Sequence, residues 1–400
     1  MNKKVVLAYS GGLDTTYCAI YLSKELGLEV HAVMVQTGGF SNEELKQIEN
    51  RAAKLNIASF SVVDVTTDFY QNCIRYLVYG NVLKNNTYPL SVSAERMFQA
   101  IAVAEYVKKI GTSYVAHGST GAGNDQVRFD LIFQSSIPDV KILTPIRDMS
   151  LSREQEITFL KENGVEMDFT KAQYSINKGL WGTSVGGKET LTSDQFLPEN
   201  AWPTRVTASE PQDITLHFEK GELKGINYTS EANTVAAIQK LQAIAQPYGI
   251  GRDIHVGDTI IGIKGRVGFE AAAPLIIIKA HHLLEKHTLT KWQLYWKDQL
   301  STWYGNWLHE GMMLEPAMRN MEKFMEDTQQ NVTGTVHVTL MPYRFVVTGV
   351  KTEHDLMSSK FGSYGEKNNS WSGDDVKGFA KIFGNQVSIY HKVNNKEISQ

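Results

Sequence analysis

Residues 4–16 read Lys-Val-Val-Leu-Ala-Tyr-Ser-Gly-Gly-Leu-Asp-Thr-Thr. An apolar run, Val5 to Ala8, stops at Ser10-Gly11-Gly12, and a helical pattern opens at Asp14. The stretch therefore reads as a strand, a glycine turn and a helix start. A helix start offers unpaired N–H groups and the positive end of the dipole, which suit an anion. Gly11 and Gly12 permit positive φ and close backbone approach to phosphate oxygens. Ser10, Thr15 and Thr16 add hydroxyls. Neither Gly-x-Gly-x-x-Gly nor Gly-x-x-x-x-Gly-Lys-Ser/Thr is present, so dinucleotide and P-loop logic do not apply. The plain alternative is a strand-to-helix turn capped by Asp14.

Outward from this loop, residues 1–165 alternate strand and helix. Apolar runs fall at 5–8, 30–35, 60–65, 114–116 and 142–146. Ser41 to Glu44 and Ser152 to Gln155 are capping boxes opening helices to about Leu55 and Asn163, the second stopped by Gly164. Continuous apolar strands between helices imply a parallel, doubly wound sheet with ligands at its carboxyl rim. The Ser-Gly-Gly loop, Gln36–Gly39 and His117–Thr120 all follow strands and can converge there.

Residues 171–212 are rich in Gly, Ser, Thr and Pro, without period, and read as a long functional loop. An α+β second half follows. Ile214, Leu216 and Phe218 alternate, a turn falls at Lys220-Gly221, and a helix runs from about Asn233 to Ala245. Strands are expected near 257–264, a broken helical stretch at 273–328, and a hairpin around Met341-Pro342-Tyr343. Trp292, Tyr295, Trp296, Trp303, Tyr304 and Trp307 read as core or subunit contacts. The expected domains are 1–168, 169–360 and a thin tail, 361–400, which packs on another subunit.

Bulk properties narrow the class. Hydrophobic residues make up 42% and charged residues 21% of 400, as in soluble globular proteins. A net charge of −3 advertises no nucleic-acid surface. No apolar run reaches about 18 residues, so no membrane span is expected. Cys18 and Cys73 make no disulfide framework, and the N-terminus enters a strand without a signal peptide, which points to the cytoplasm. His281-His282 with Glu285 could suggest a metal site, but adjacent histidines point to different helix faces. No dedicated metal cluster is expected.

Residues 117–130, His-Gly-Ser-Thr-Gly-Ala-Gly-Asn-Asp-Gln-Val-Arg-Phe-Asp, form a second glycine-rich loop after a strand. Arg128 can grip a carboxylate bidentately and Asp125 can pair with an ammonium, together matching an amino acid. The competing reading is a structural Asp–Arg pair.

The first loop resembles the pyrophosphate loop (PP-loop) of ATP pyrophosphatases. With residues 118–129 and with Tyr174-Ser-Ile-Asn-Lys-Gly-Leu-Trp-Gly-Thr-Ser184, nearly the whole chain resembles the argininosuccinate synthase family. Weaker matches are Thr144–Arg147, Gly249–Arg252 and Gly378-Phe379. The resemblance implies an α/β fold: an N-terminal parallel, doubly wound PP-loop sheet (adenine nucleotide alpha hydrolase-like), an α+β synthetase domain and a C-terminal oligomerisation segment. It implies condensation of citrulline with aspartate, using ATP and Mg2+ (as MgATP) and releasing AMP and pyrophosphate through an adenylated ureido group, in arginine biosynthesis. ATP would be bound by Ala8, Tyr9, Ser10, Gly11, Gly12, Leu13, Asp14, Thr15, Thr16, Val35 and Gly118. Thr120, Asn124 and Asp125 would hold aspartate. Tyr88, Ser93, Asn124, Arg128, Ser175 and Ser184 would hold citrulline. Asp14, Asp125 and Arg128 are implied to serve the chemistry most directly, with no covalent nucleophile. A homotetramer, its C-terminal segments reaching across subunits, is also implied, with no nucleic-acid or membrane partner.

The chain departs from the family at Ala122 (usually Lys), Gly39 (usually Gln), Gly186 (usually Glu), Gly257 (aligned with a Glu) and Phe269 (aligned with a Tyr). Loss of acids near the amino end of citrulline weakens the case for a free α-ammonium there, since a buried cation needs a counter-charge. The acceptor is therefore either citrulline or an N-acylated citrulline, with room at Gly257 and Lys188 available to an added carboxylate. Rival readings are another ATP-pyrophosphatase ligase and a non-catalytic nucleotide-binding derivative. A thiolase would want a Cys-x-x-Cys arrangement and an amidotransferase a glutaminase domain; neither is evident.

Overall fold

The computed structural model describes residues 3–165, 174–358, 365 and 370–394. Both expected domain boundaries, at 168 and 360, lie outside them. Lys4–Ala8 (β1) is the middle of a five-stranded parallel sheet with Glu29–Gln36 (β2), Ser59–Asp64 (β3), Tyr114–Ala116 (β4) and Lys141–Leu143 (β5), in the order β3-β2-β1-β4-β5. Val5, Val6 and Leu7 are fully buried because helices cover both faces. The helices of this half are Leu13–Ile20 (α1), Asn42–Ala52 (α2), the short Thr66–Phe69 (α3) and Arg75–Tyr79 (α4), Ser91–Ile110 (α5), Asp125–Ser136 (α6), Pro145–Asp148 (α7) and Arg153–Glu162 (α8). Both capping boxes form, at Ser41 and at Ser152. The expected run 142–146 is strand only to Leu143, since Pro145 opens a helix at the position where its missing N–H costs nothing. Between β1 and β4 the winding direction reverses, and that switch point opens the crevice at the carboxyl ends.

The stretch 171–212 is not all loop. Ser175–Gly179 (β6) and Gly182–Gly186 (β7) form a hairpin whose glycines and short strands hide any alternation. Trp181 at its turn is fully buried and donates its indole N–H to the Pro89 carbonyl at 3.0 Å. Gln212–Glu219 (β8), Glu222–Ile226 (β9) and Thr229–Ser230 (β10) begin a second sheet, and Thr234–Ala245 is α9. Arg252–Asp258 (β11) and Lys264–Glu270 (β12) flank the stretch expected to be strand, whose centre is instead their turn. β12 pairs with β7, giving a four-stranded sheet β11-β12-β7-β6.

The expected broken helix is three: Ala272–Thr288 (α10), Lys291–His309 (α11) and Pro316–Thr328 (α12). Gly334–Met341 (β13) and Arg344–Lys351 (β14) complete the second sheet, β10-β9-β8-β13-β14. Of the six aromatics on α11, Tyr304 is buried, while Trp292, Tyr295, Trp296 and Trp303 are each more than half exposed in the single chain. A compact unit ends at residue 353; residues 354–400 form a second, with Gly373–Phe383 (α13) and Asn385–Val393 (α14). Phe379, Ile382 and Phe383 of α13 are exposed.

A buried polar knot fixes α10, α11 and α12. Lys297 lies 3.0 Å from Glu285, and both side chains are fully buried. His281 reaches Asn81 at 2.7 Å and Gln329 at 2.9 Å, and Gln329 donates to Glu285 at 2.9 Å. The His281–Glu285 pair is thus consumed in packing. Lys297→Ala strands the Glu285 charge and is expected to lower unfolding free energy by about 3–5 kcal/mol in urea titration. The Lys297→Met, Glu285→Gln double variant should lose much less.

Candidate active site

The cavity at the carboxyl rim measures about 960 Å³. Its floor is the Ser-Gly-Gly turn. Gly11 has φ +74°, and α1 begins after Gly12 with no side-chain cap, so its first N–H groups stay available to an anion. Ser10 Oγ accepts from Gly12 N–H at 3.3 Å and lies 3.2 Å from Thr15 Oγ1. Thr16 does not line the cavity: it is buried, and its hydroxyl donates to the Gly12 carbonyl at 2.7 Å. Every other residue expected to meet ATP does line it. At Gly118 a Cβ would press to 3.2 Å on Asp14, so any side chain there would push the two loops slightly apart. That loop is anchored by His117, which donates from Nε2 to Asp130 at 2.9 Å while Nδ1 accepts from Ser119 N–H.

The charged centre follows on α6. Asp125 is gripped by Arg96 at 2.8 Å and Arg128 at 3.2 Å. Burial pushes its carboxyl up, but the two guanidiniums outweigh this and hold it below the ordinary carboxylate value. Arg128 is itself engaged on three sides. It donates to Ser93 Oγ at 2.9 Å and, from Nε and Nη2, to the His309 carbonyl at 3.1 and 2.7 Å. That carbonyl is at the negative end of α11, a natural seat for a cation. Asn124 accepts from the Ile260 N–H at 2.8 Å, tying the β11–β12 turn to the loop. Tyr88 lines the cavity, yet its hydroxyl accepts from Val92 N–H at the start of α5. Ser175 and Ser184 come from the hairpin, with Ser184 Oγ accepting from Asn177 at 3.3 Å.

Several departures acquire physical causes. A Cβ at Gly39 would overlap the Lys178 carbonyl, so the loop 36–39 packs under the hairpin rather than lining the cavity. At Gly257 a Cβ would come within 2.6 Å of His255 Nε2: the imidazole holds the space above residue 257. Phe269 is fully buried against Tyr88, ring centroids 5.3 Å apart. Ala122 and Lys188 are exposed and do not line the cavity.

Residues that motif reading misses are Glu95, Arg96, Asn177, His255, His309 and, behind Asp14, Glu156. Glu95 falls on the buried stripe 91, 95, 98, 102 of α5, and Glu156 lies four before the buried Leu160. An acid on an apolar stripe is the signal that could have found them. Burial pushes the Glu156 carboxyl up, and Asp14 adds to it. No group of three or more possible metal ligands occurs among the described residues.

A parallel, doubly wound α/β fold with a ligand cavity at its switch point is what such a sheet and cavity define. Residues 4–166 match the family described as "Arginosuccinate synthase N-terminal HUP domain" and residues 174–390 its "C-terminal domain". An argininosuccinate synthase of Dictyoglomus turgidum is 35% identical over 97% of this chain and 98% of its own length. Those of Methanocaldococcus jannaschii and Xylella fastidiosa are each 34% identical over 98% of both chains. The chain belongs to the argininosuccinate synthase family, ATP-using ligases that form a carbon–nitrogen bond.

Glu95 yields a pH prediction. Its Oε1 accepts from Thr37 at 2.6 Å and Gln99 at 2.9 Å, while Oε2 is buried without a partner, 2.6 Å from where a Cβ of Gly179 would be. Burial pushes its carboxyl from 4.5 to about 7, so the folded state holds a proton that the unfolded state has released. Stability is then lost as pH rises from 4.5 to 7, by roughly 3 kcal/mol at most. Glu95→Gln should flatten that part of the stability profile in urea titrations.

Proposed function

We propose that this chain condenses the ureido group of citrulline, free or acylated on its α-nitrogen, with L-aspartate, converting ATP to AMP and pyrophosphate. The carrying observation is that the Ser10–Thr15 loop, the Thr120–Asp125 loop and Arg128 share one cavity with the hairpin serines. A ureido carbonyl is a poor electrophile because resonance stabilises it and its oxygen leaves badly. Its oxygen attacks the α-phosphorus of ATP and pyrophosphate departs. The aspartate nitrogen then attacks the ureido carbon, and AMP leaves with the former ureido oxygen. The proton lost from nitrogen passes to a phosphate oxygen. What remains for the protein is alignment and charge neutralisation.

The roles follow from position. Residues 8–15 and Gly118 cradle the nucleotide, with Val35 in the same wall, and the free N–H groups of α1 face the departing pyrophosphate. Asp14 would help hold Mg2+, which accompanies ATP and neutralises phosphate charge. Thr120, Asn124 and the open side of Asp125 take aspartate. Tyr88, Ser93, Asn124, Arg128, Ser175 and Ser184 hold the acceptor. Residues 1–168 would bind nucleotide and 169–360 complete the substrate site. The exposed apolar side chains of α13 and α14 support a homo-oligomer, a tetramer on the family pattern, with residues 361–400 as its oligomerisation tail. Among the described residues no helix is long and apolar enough to cross a membrane. A cytoplasmic location is part of this proposal.

AMP should form only when aspartate and a citrulline-type acceptor are both present, followed by chromatography of the nucleotides. Steady ATP turnover without acceptor would point to another ATP-pyrophosphatase activity. Nucleotide binding without turnover under any combination would point to a non-catalytic derivative. Asp125→Asn should reduce kcat/KM for aspartate about 100-fold, the loss of one charged hydrogen bond and a loosened Arg96–Arg128 pair.

A further inference from the structure

His255 and His309 both stand in the cavity wall at the acceptor end. Burial, reinforced by Lys84 for His255 and by Arg128 for His309, lowers each ring to about 4, so both are neutral near pH 7. His309 Nε2 donates to the Asp258 carbonyl at 3.2 Å, which leaves Nδ1 as an acceptor. Ser93 Oγ lies 3.3 Å from that Nδ1 and already accepts from Arg128. The Ser93 proton therefore points to His309, and Ser93 offers the cavity a lone pair. His255 is the complement. Its Nδ1 is buried without a partner, and its Nε2 stands over Gly257. An orphaned N–H costs more than an orphaned lone pair, so the proton belongs on Nε2, as a donor.

Charge points the same way. Lys84 and Arg128 act on these rings, Asp125 is held by two arginines, and Asp258 is paired with Lys264 at 2.6 Å. Of the other described carboxyls lining the cavity, Asp14 belongs to the Ser-Gly-Gly loop, and Glu95, whose Oε2 has no partner, is raised by burial to about 7 and so is a poor counter-charge below that pH. A desolvated ammonium there would face cations. A secondary amide carries one acceptor and one donor, the mirror of His255 Nε2–H and the Ser93 lone pair.

We infer that His255 and His309 select an acceptor acylated on its α-nitrogen. The amide carbonyl accepts from His255, the specificity-determining residue. The amide N–H donates to Ser93, which His309 orients as a positioning residue. This rests on the ureido-condensation reading and names its substrate class.

The test compares pyrophosphate release by the full chain with ATP, aspartate and either citrulline or N-acetylcitrulline. The expected kcat/KM favours N-acetylcitrulline by about tenfold or more, one to two neutral hydrogen bonds. His255→Phe keeps a ring on Tyr88 but removes the donor. It should raise KM for N-acetylcitrulline about tenfold and leave KM for aspartate within about twofold. His309→Leu should raise the same KM, and His309→Asn, which keeps an acceptor, should restore part of it. Equal or better turnover of free citrulline by the unmodified chain overturns the inference. So does a His255→Phe effect that is the same for both acceptors. No pyrophosphate with either acceptor overturns the condensation reading itself, and the inference with it.

Discussion

Arg128 is the joint on which the site depends. One guanidinium binds Asp125 on its own helix, Ser93 on α5 and the terminal carbonyl of α11. The first two belong to the nucleotide-binding half and the third to the α+β half. A planar fork of fixed donors can hold three elements at fixed angles, which a lysine ammonium cannot. Its charge is answered by a carboxylate and by a helix C-terminus, which offset part of the cost of burying it. The last residue of α11, His309, is thereby delivered to the cavity, and the polar knot around Lys297 keeps that helix in place.

Close backbone approach is the second constraint. The hairpin of β6 and β7 closes over the sheet rim because Gly39 and Gly179 let Lys178 and Glu95 come near. Thr37 and Glu95, one from each layer beneath, are joined by a short hydrogen bond. Gly39, which looks like erosion of a binding motif, is thus a packing requirement of this chain, whereas a Cβ at Gly186 would make only ordinary contacts. Gly257 is similar to Gly39, its missing side chain matched by the imidazole two residues away.

Legibility in sequence differed between the halves. The parallel sheet, the capping boxes at Ser41 and Ser152 and both glycine loops were readable because each rests on local chemistry: apolar runs, caps and backbone freedom. The hairpin after residue 174 was not, since glycine-rich strands carry no alternation and gain their pairing from β12. The β11–β12 strands were misplaced onto their turn, where apolar Ile260, Ile261 and Ile263 mimic a strand. Thr16 looked like a ligand hydroxyl, but a helix interior let it bond back to Gly12.

By itself the sequence determined the Ser-Gly-Gly turn between the first strand and helix, the order of strands and helices in the first half and the family to which the chain belongs. These follow from short-range spacing, which folding preserves. Only the tertiary structure decided which side chains share the cavity wall. His255 and His309 lie 54 positions apart in sequence, and Glu95 and Gly179 come from different layers. Their meeting depends on packing between elements, on burial and on which hydrogen-bond partners are already taken, and no local pattern carries that information.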